Sequence, residues 1–167
     1  MDLIMILKDY QTLISGIIAT LIIIAGFAFT YKQLDYMKKD RHSGLAMNLW
    51  SIWNSNALIE SRKCLSSIEI GKESLCEKIK EYDNSDPEKY LTIVMVGNYY
   101  EHMGLLVSKG YLDPNLIIDL FGYTITNYYE QYSDYIIDSR NDKMPELFTY
   151  FEELNNKAND RGIHFKK

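Results

Sequence analysis

The residues of this chain best suited to chemistry stand together at Asn98-Tyr99-Tyr100-Glu101-His102, flanked by Gly97 and Gly104, inside its most apolar internal stretch. A carboxylate beside an imidazole offers two groups that can exchange protons near neutral pH, and ionisable groups in apolar surroundings often serve catalysis or ligand sensing. On that reading Glu101, His102 and Gly104 form a functional cluster, with Glu101 and His102 as an acid/base pair or a sensing site. A structural reading stands beside it. Glu101 could satisfy a buried helix end, such as the turn at Gly110 or Asp113, while the glycines permit close helix approach. Adjacent residues on a helix face different ways, which weighs toward the structural reading.

Other catalytic patterns are missing. There is no phosphate loop of the GxxxxGK[ST] type, no Rossmann glycine pattern, no GxSxG elbow, no HExxH helix and no EF-hand loop. His42, His102 and His164 are scattered, with no ligand partner one helical turn away. Arg140 has Pro145, and Arg161 has His164 too near, where small helical ribonucleases set a histidine after an arginine. Cys64 and Cys76 fit no zinc or redox spacing, and both sit beside apolar positions that suit packing. No catalytic residue, metal or cofactor is expected. With 18 Lys and Arg against 23 Asp and Glu, a net charge of −5, the chain lacks the cationic surplus that nucleic acid requires.

The elements that carry these residues begin with an uncharged run. From Tyr10 to Tyr31 no residue is ionisable at neutral pH, and ten of those between Thr12 and Thr30 are Leu, Ile or Phe. About 20 helical residues span the roughly 30 Å hydrocarbon core of a bilayer. The ten large apolar side chains supply roughly −3 to −6 kcal/mol toward insertion. A cleaved signal peptide would want a basic start, where this chain has Asp2, Lys8 and Asp9. The run is therefore expected to be a retained transmembrane helix over 10–31, with Tyr10 and Tyr31 at the interfaces.

Lys32, Lys38, Lys39 and Arg41 follow the run and only Lys8 precedes it, which sets the C-terminal side in the cytoplasm. The expected order is a short extracytoplasmic N-terminus over 1–9, the membrane helix, a basic juxtamembrane stalk over 32–42 and a cytosolic domain over 43–167. The plasma membrane, the inner membrane of a cell that has two, is the expected location. Leu3 to Leu7 either lies along the outer interface or extends the helix. Ser15, Ala19 and Gly26 share one face of the span, a small-residue face suited to self-association.

The cytosolic part reads as helical throughout, an all-α bundle of about five helices. Two stripes between Leu45 and Leu65, Leu45-Leu49-Ile52-Ile59 and Ala46-Trp50-Trp53-Ala57-Cys64, describe one broad apolar face. A shorter helix follows over about Lys72 to Tyr82. Asp86-Pro87 and Asp113-Pro114 are both cap-plus-proline starts. The helix opened by the first is apolar nearly all round and should be central. Gly110 reads as a left-handed helix end, Arg140 to Lys143 as a break, and Gly162 as the end of a last helix built on Leu147, Phe151, Leu154 and Ala158.

The segment Tyr100-Glu101-His102-Met103-Gly104-Leu105-Leu106-Val107, with Lys109-Gly110-Tyr111-Leu112-Asp113 and Leu120-Phe121-Gly122, resembles a family of small bacterial proteins described only as a domain of unknown function. Its pattern is an aromatic-Glu-x-x-Gly-Leu-Leu run, a glycine turn, an acidic residue and a Leu-Phe-Gly ending, matched here by Glu101, Gly104, Gly110 and Phe121. The resemblance implies one N-terminal membrane helix and a helical cytosolic body, and implies no activity. The leading expectation is a non-enzymatic membrane-anchored module that regulates or binds a protein partner. The alternatives are a membrane effector of a stress or antiviral defence system, forming a homo-oligomer in the lipid bilayer, and an enzyme using Glu101 and His102.

Overall fold

A computed structural model of the chain describes residues 3–70, 74–142 and 144–164, and every regular element among them is a helix. In chain order these are α1 (Leu3–Trp53), α2 (Asn56–Ile70), α3 (Leu75–Ser85), α4 (Pro87–Ser108), α5 (Pro114–Asp142) and α6 (Thr149–Asp160). The all-α class is as expected, a long apolar helix followed by five more. The contacts divide the chain into two units, Met1–Ser43 and Gly44–Lys167.

The first unit is helical from Leu3, so the Leu3–Leu7 run continues the helix. Its large apolar side chains from Leu13 to Phe29 are each 52–73% exposed, so among the described residues no face of the segment is buried. By length and composition it can cross a membrane. Three hydroxyls of the segment make no demand on lipid. Ser15 donates to the Gln11 carbonyl, Thr20 to Gly16 and Thr30 to Gly26, each one turn back.

In the second unit, the apolar face expected as one element from Leu45 to Leu65 is broken at Asn54-Ser55. The Asn54 side chain donates to the Trp50 carbonyl at 2.8 Å, and the Ser55 hydroxyl accepts from the Leu58 N–H. Short polar side chains thus offer the backbone partners that end one helix and start the next. The register changes across the break. Ala46, Leu49 and Trp53 are buried before it and Leu58, Ser61, Leu65 and Ile68 after it, while Trp50, Ile52 and Ala57 stay exposed. The open end of α1 is closed by tertiary donors. Arg62 donates to the Trp53 carbonyl at 3.1 Å with its guanidinium 4.2 Å over the Trp53 ring, and the Tyr99 hydroxyl donates to the Leu49 carbonyl at 2.9 Å.

The remaining elements follow their local signals. Residues 71–73 lie outside the described residues, so the expected start near Lys72 does too. The helix that follows is capped by Ser74, which accepts from the Glu77 N–H. Asp86 caps α4, accepting from Lys89 N–H at 3.2 Å. That bond and the Lys89 ammonium hold its carboxyl below the usual range. Asp113 accepts from the Asn115 N–H at the start of α5. Gly110 and Gly162 take left-handed φ of 71° and 77°. The expected central helix, α4, packs against α2, α3, α5 and α6, and Ile93, Val96, Tyr100 and Met103 are fully buried on it. Leu91 on α4 and Leu120 on α5 face solvent.

Candidate functional site

Glu101 sits on α4 and reaches the start of α6. One carboxylate oxygen accepts the Phe151 N–H at 2.8 Å, across 50 residues of sequence. The residue in the cap position of α6 is Phe148, which has no side-chain acceptor, so the first turn of α6 relies on Glu101 for a partner. A carboxylate at a helix N-terminus also complements the positive end of the helix dipole. The buried helix end that Glu101 satisfies is therefore that of α6, and not the turns at Gly110 or Asp113.

The glycines make this reach short. A Cβ on Gly104 would stand 2.1 Å from the Tyr150 carbonyl oxygen, and one on Gly97 would stand 2.5 Å from the Phe148 ring. Gly97, Glu101 and Gly104 fall at i, i+4 and i+7 on one face of α4. That face is a cradle: the ring of Phe148 lies over one glycine, the Tyr150 backbone over the other, and the carboxylate between them.

Phe148 has φ 54°, a left-handed conformation that costs a bulky residue energy. Its ring is held regardless, nearly fully buried and edge-on to Tyr132 at 5.9 Å. Next to it the Phe151 ring stacks on Tyr100 at 4.9 Å and 18°.

A second polar group braces the same end. Arg140 donates to the Leu147 carbonyl at 2.9 Å and pairs with Glu152, in the first turn of α6, at 2.7 Å. Burial, and then the Glu152 charge, push the Tyr129 hydroxyl up to about 12. The sequence marks Arg140 only at a helix break and as an incomplete ribonuclease spacing, and does not join it to Glu152, because the pair spans that break and no spacing rule connects them. His102 is exposed, on another side of α4 from the Phe151 contact.

Chemically, the Glu101 arrangement is a helix cap. Glu101→Ala should lower unfolding free energy by about 1–2 kcal/mol, Glu101→Gln by less because the amide oxygen still accepts, and His102→Ala by under about 0.5 kcal/mol. Denaturant titration of the three variants in detergent checks the order. Equal losses at Glu101 and His102 would contradict it.

The remaining singled-out residues lie elsewhere. Ser15, Ala19 and Gly26 are exposed on α1, and nothing approaches Gly26 within 4 Å. Tyr10, Tyr31, Lys32, Lys38, Lys39 and Arg41 are also exposed, with Lys39 paired to Asp35 at 2.8 Å. Cys64 and Cys76 are half-buried against the core, and burial pushes both thiols up. Among the described residues no three His, Cys, Asp or Glu side chains gather as a metal site. A cavity of about 220 Å³ between α2, α3 and α5 is lined by Leu65, Ile68, Leu75, Cys76, Gln131 and Asp134, and does not reach Glu101 or His102.

Compared with known proteins, the chain matches the family described as Domain of unknown function (DUF4760) over residues 15–158, a span that holds most of the apolar helix and α2 to α5 entire. No curated protein and no solved structure matches it.

Proposed function

We propose that this chain, which belongs to the DUF4760 family, is a bitopic membrane protein whose helical body binds a protein partner on the cytoplasmic face without doing chemistry of its own. The observation that carries the reading is the Leu13–Phe29 segment, apolar and exposed on every side with its hydroxyls bonded to its own backbone. Four cations after it against one before it support an N-out orientation. In the body, the carboxylate best placed for catalysis is occupied as the cap of α6.

A surface for the partner is available. Met47 and Trp50 are exposed one turn apart near the end of α1. The Trp50 ring lies 5.5 Å from that of Phe121, whose neighbours Leu120 and Tyr123 are exposed as well. Exposed aromatic and methionine side chains brought together in this way are typical of interface centres.

The open face at Ser15, Ala19 and Gly26 favours a second reading, a self-associating effector in the bilayer. Extraction of the full chain from native membranes in mild detergent, followed by mass photometry, separates the two. A stoichiometric foreign protein that is lost on Trp50→Ala supports the adaptor. A homo-oligomer that falls to monomer on Gly26→Leu supports the effector. A wild-type monomer with no companion overturns both.

A further inference from the structure

Beyond the apolar run, α1 stays helical through the basic segment, and its four cations are not equivalent. Lys39 is committed to Asp35 at 2.8 Å. Lys38 and Arg41 form no ion pair among the described residues, and with Leu34 and Met37 they line one shallow cleft of about 320 Å³. At 3.6 residues per turn, these four residues fall within a sector of about 100°, and Asp35 and Asp40 each lie roughly 110° from its centre. The sector is thus cationic and apolar at once, with Leu34 59% and Met37 61% exposed.

Its position along the helix limits what can cover it. Leu34 and Met37 stand about 5 and 9 Å beyond Tyr31 along the axis, and Lys38 and Arg41 about 10 and 15 Å. The polar layer of a bilayer is about 5–7 Å thick on each side. Helical side chains lean toward the N-terminus, which here is the direction of the apolar run, so both cations extend back toward that layer. Apolar side chains nearer the run with cations beyond them match the order of glycerol, phosphate and water at a membrane surface.

We propose that the Leu34–Met37–Lys38–Arg41 face binds the headgroup of an anionic phospholipid, with Lys38 and Arg41 sharing its charge and Leu34 and Met37 lying against its glycerol and upper acyl region. The proposal rests on reading α1 as a membrane span. Unpaired basic residues at an anionic surface attract lipid, and two of them acting together give an expected preference of about thirtyfold over a zwitterionic headgroup.

The test uses the full chain in nanodiscs of phosphatidylcholine with a minor fraction of phosphatidylglycerol, with retained lipids counted by native mass spectrometry. Co-elution of chain and disc reports the span. Enrichment of phosphatidylglycerol among the retained lipids reports the headgroup face. Enrichment of about thirtyfold is expected for the wild type and for Lys39→Gln, with none for the Lys38→Gln/Arg41→Gln double variant, and circular dichroism should be unchanged throughout. Enrichment that survives in the double variant, or is missing in the wild type, overturns the proposal while leaving the span intact. Displacement of the lipid by millimolar inorganic phosphate would mark a general anion site and overturn the assignment to lipid. A chain that fails to co-elute with the discs overturns the membrane reading and this proposal with it.

Discussion

Gly104→Ala is expected to destabilise the body by about 3 kcal/mol, although alanine is the better helix former by about 1 kcal/mol. The added Cβ would stand 2.1 Å from the Tyr150 carbonyl oxygen and 2.6 Å from its carbonyl carbon. Both are backbone atoms in the first turn of α6, so no rotamer change relieves the contact. The helix must retreat by more than 1 Å to restore an ordinary van der Waals distance, roughly 3.5 Å for carbon pairs. That retreat stretches the 2.8 Å bond from the Phe151 N–H to Glu101 and unstacks Phe151 from Tyr100. Thermal unfolding of the full chain in detergent should show a fall of roughly 10 °C. Gly44→Ala is the control. Nothing lies within 4 Å of that position, so only the propensity gain remains and stability should rise slightly. If the two substitutions behave alike, the close approach of α4 and α6 is not what holds α6 in place.

The second large effect concerns α1. Ile18→Arg combined with Ile22→Arg should remove the chain from the membrane fraction. Both side chains are more than half exposed on the same side of the helix, one turn apart. Each arginine near the centre of a span costs about 2.5–3.5 kcal/mol and also forfeits the isoleucine's contribution, so the pair outweighs the roughly −3 to −6 kcal/mol supplied by the whole run. Carbonate extraction of membranes should leave the wild type in the pellet and move the double variant to the supernatant or to aggregates. The body's core begins beyond Gly44, so near-ultraviolet circular dichroism of the body should be retained in detergent. A wild-type chain already in the supernatant would mean that the exposed apolar face of α1 is covered by protein rather than lipid.

The local signals proved readable because each is a bargain between near neighbours. Asp86 caps α4 through Lys89, three residues on, and Ser74 caps α3 through Glu77. Gly110 and Gly162 take the left-handed conformation where the helix patterns run out. Phe151, Leu154 and Ala158 are buried at the spacing that defined the last helix. The uncharged run from Tyr10 to Tyr31 needs only its own composition to be identified as long and apolar enough to span a membrane.

What the sequence could not settle depends on contacts between distant segments. The Leu45–Leu65 face looked continuous, since a stripe of apolar residues does not reveal that Asn54 and Ser55 will bond to their own backbone and shift the register. Glu101 could be assigned the job of closing a helix end but not the helix, since its partner lies 50 residues away, and nothing near Phe148 announces that α6 lacks a cap of its own. Gly97 and Gly104 looked alike as permissive positions. Only the packed structure places a ring over one and a backbone carbonyl over the other. Sequence by itself determined the helices, their order and the apolar segment, because hydrogen bonding within a helix and the burial of a stripe are local. The tertiary structure decided which carboxylate serves which helix end, because that depends on where two helices already packed on a shared core bring their ends.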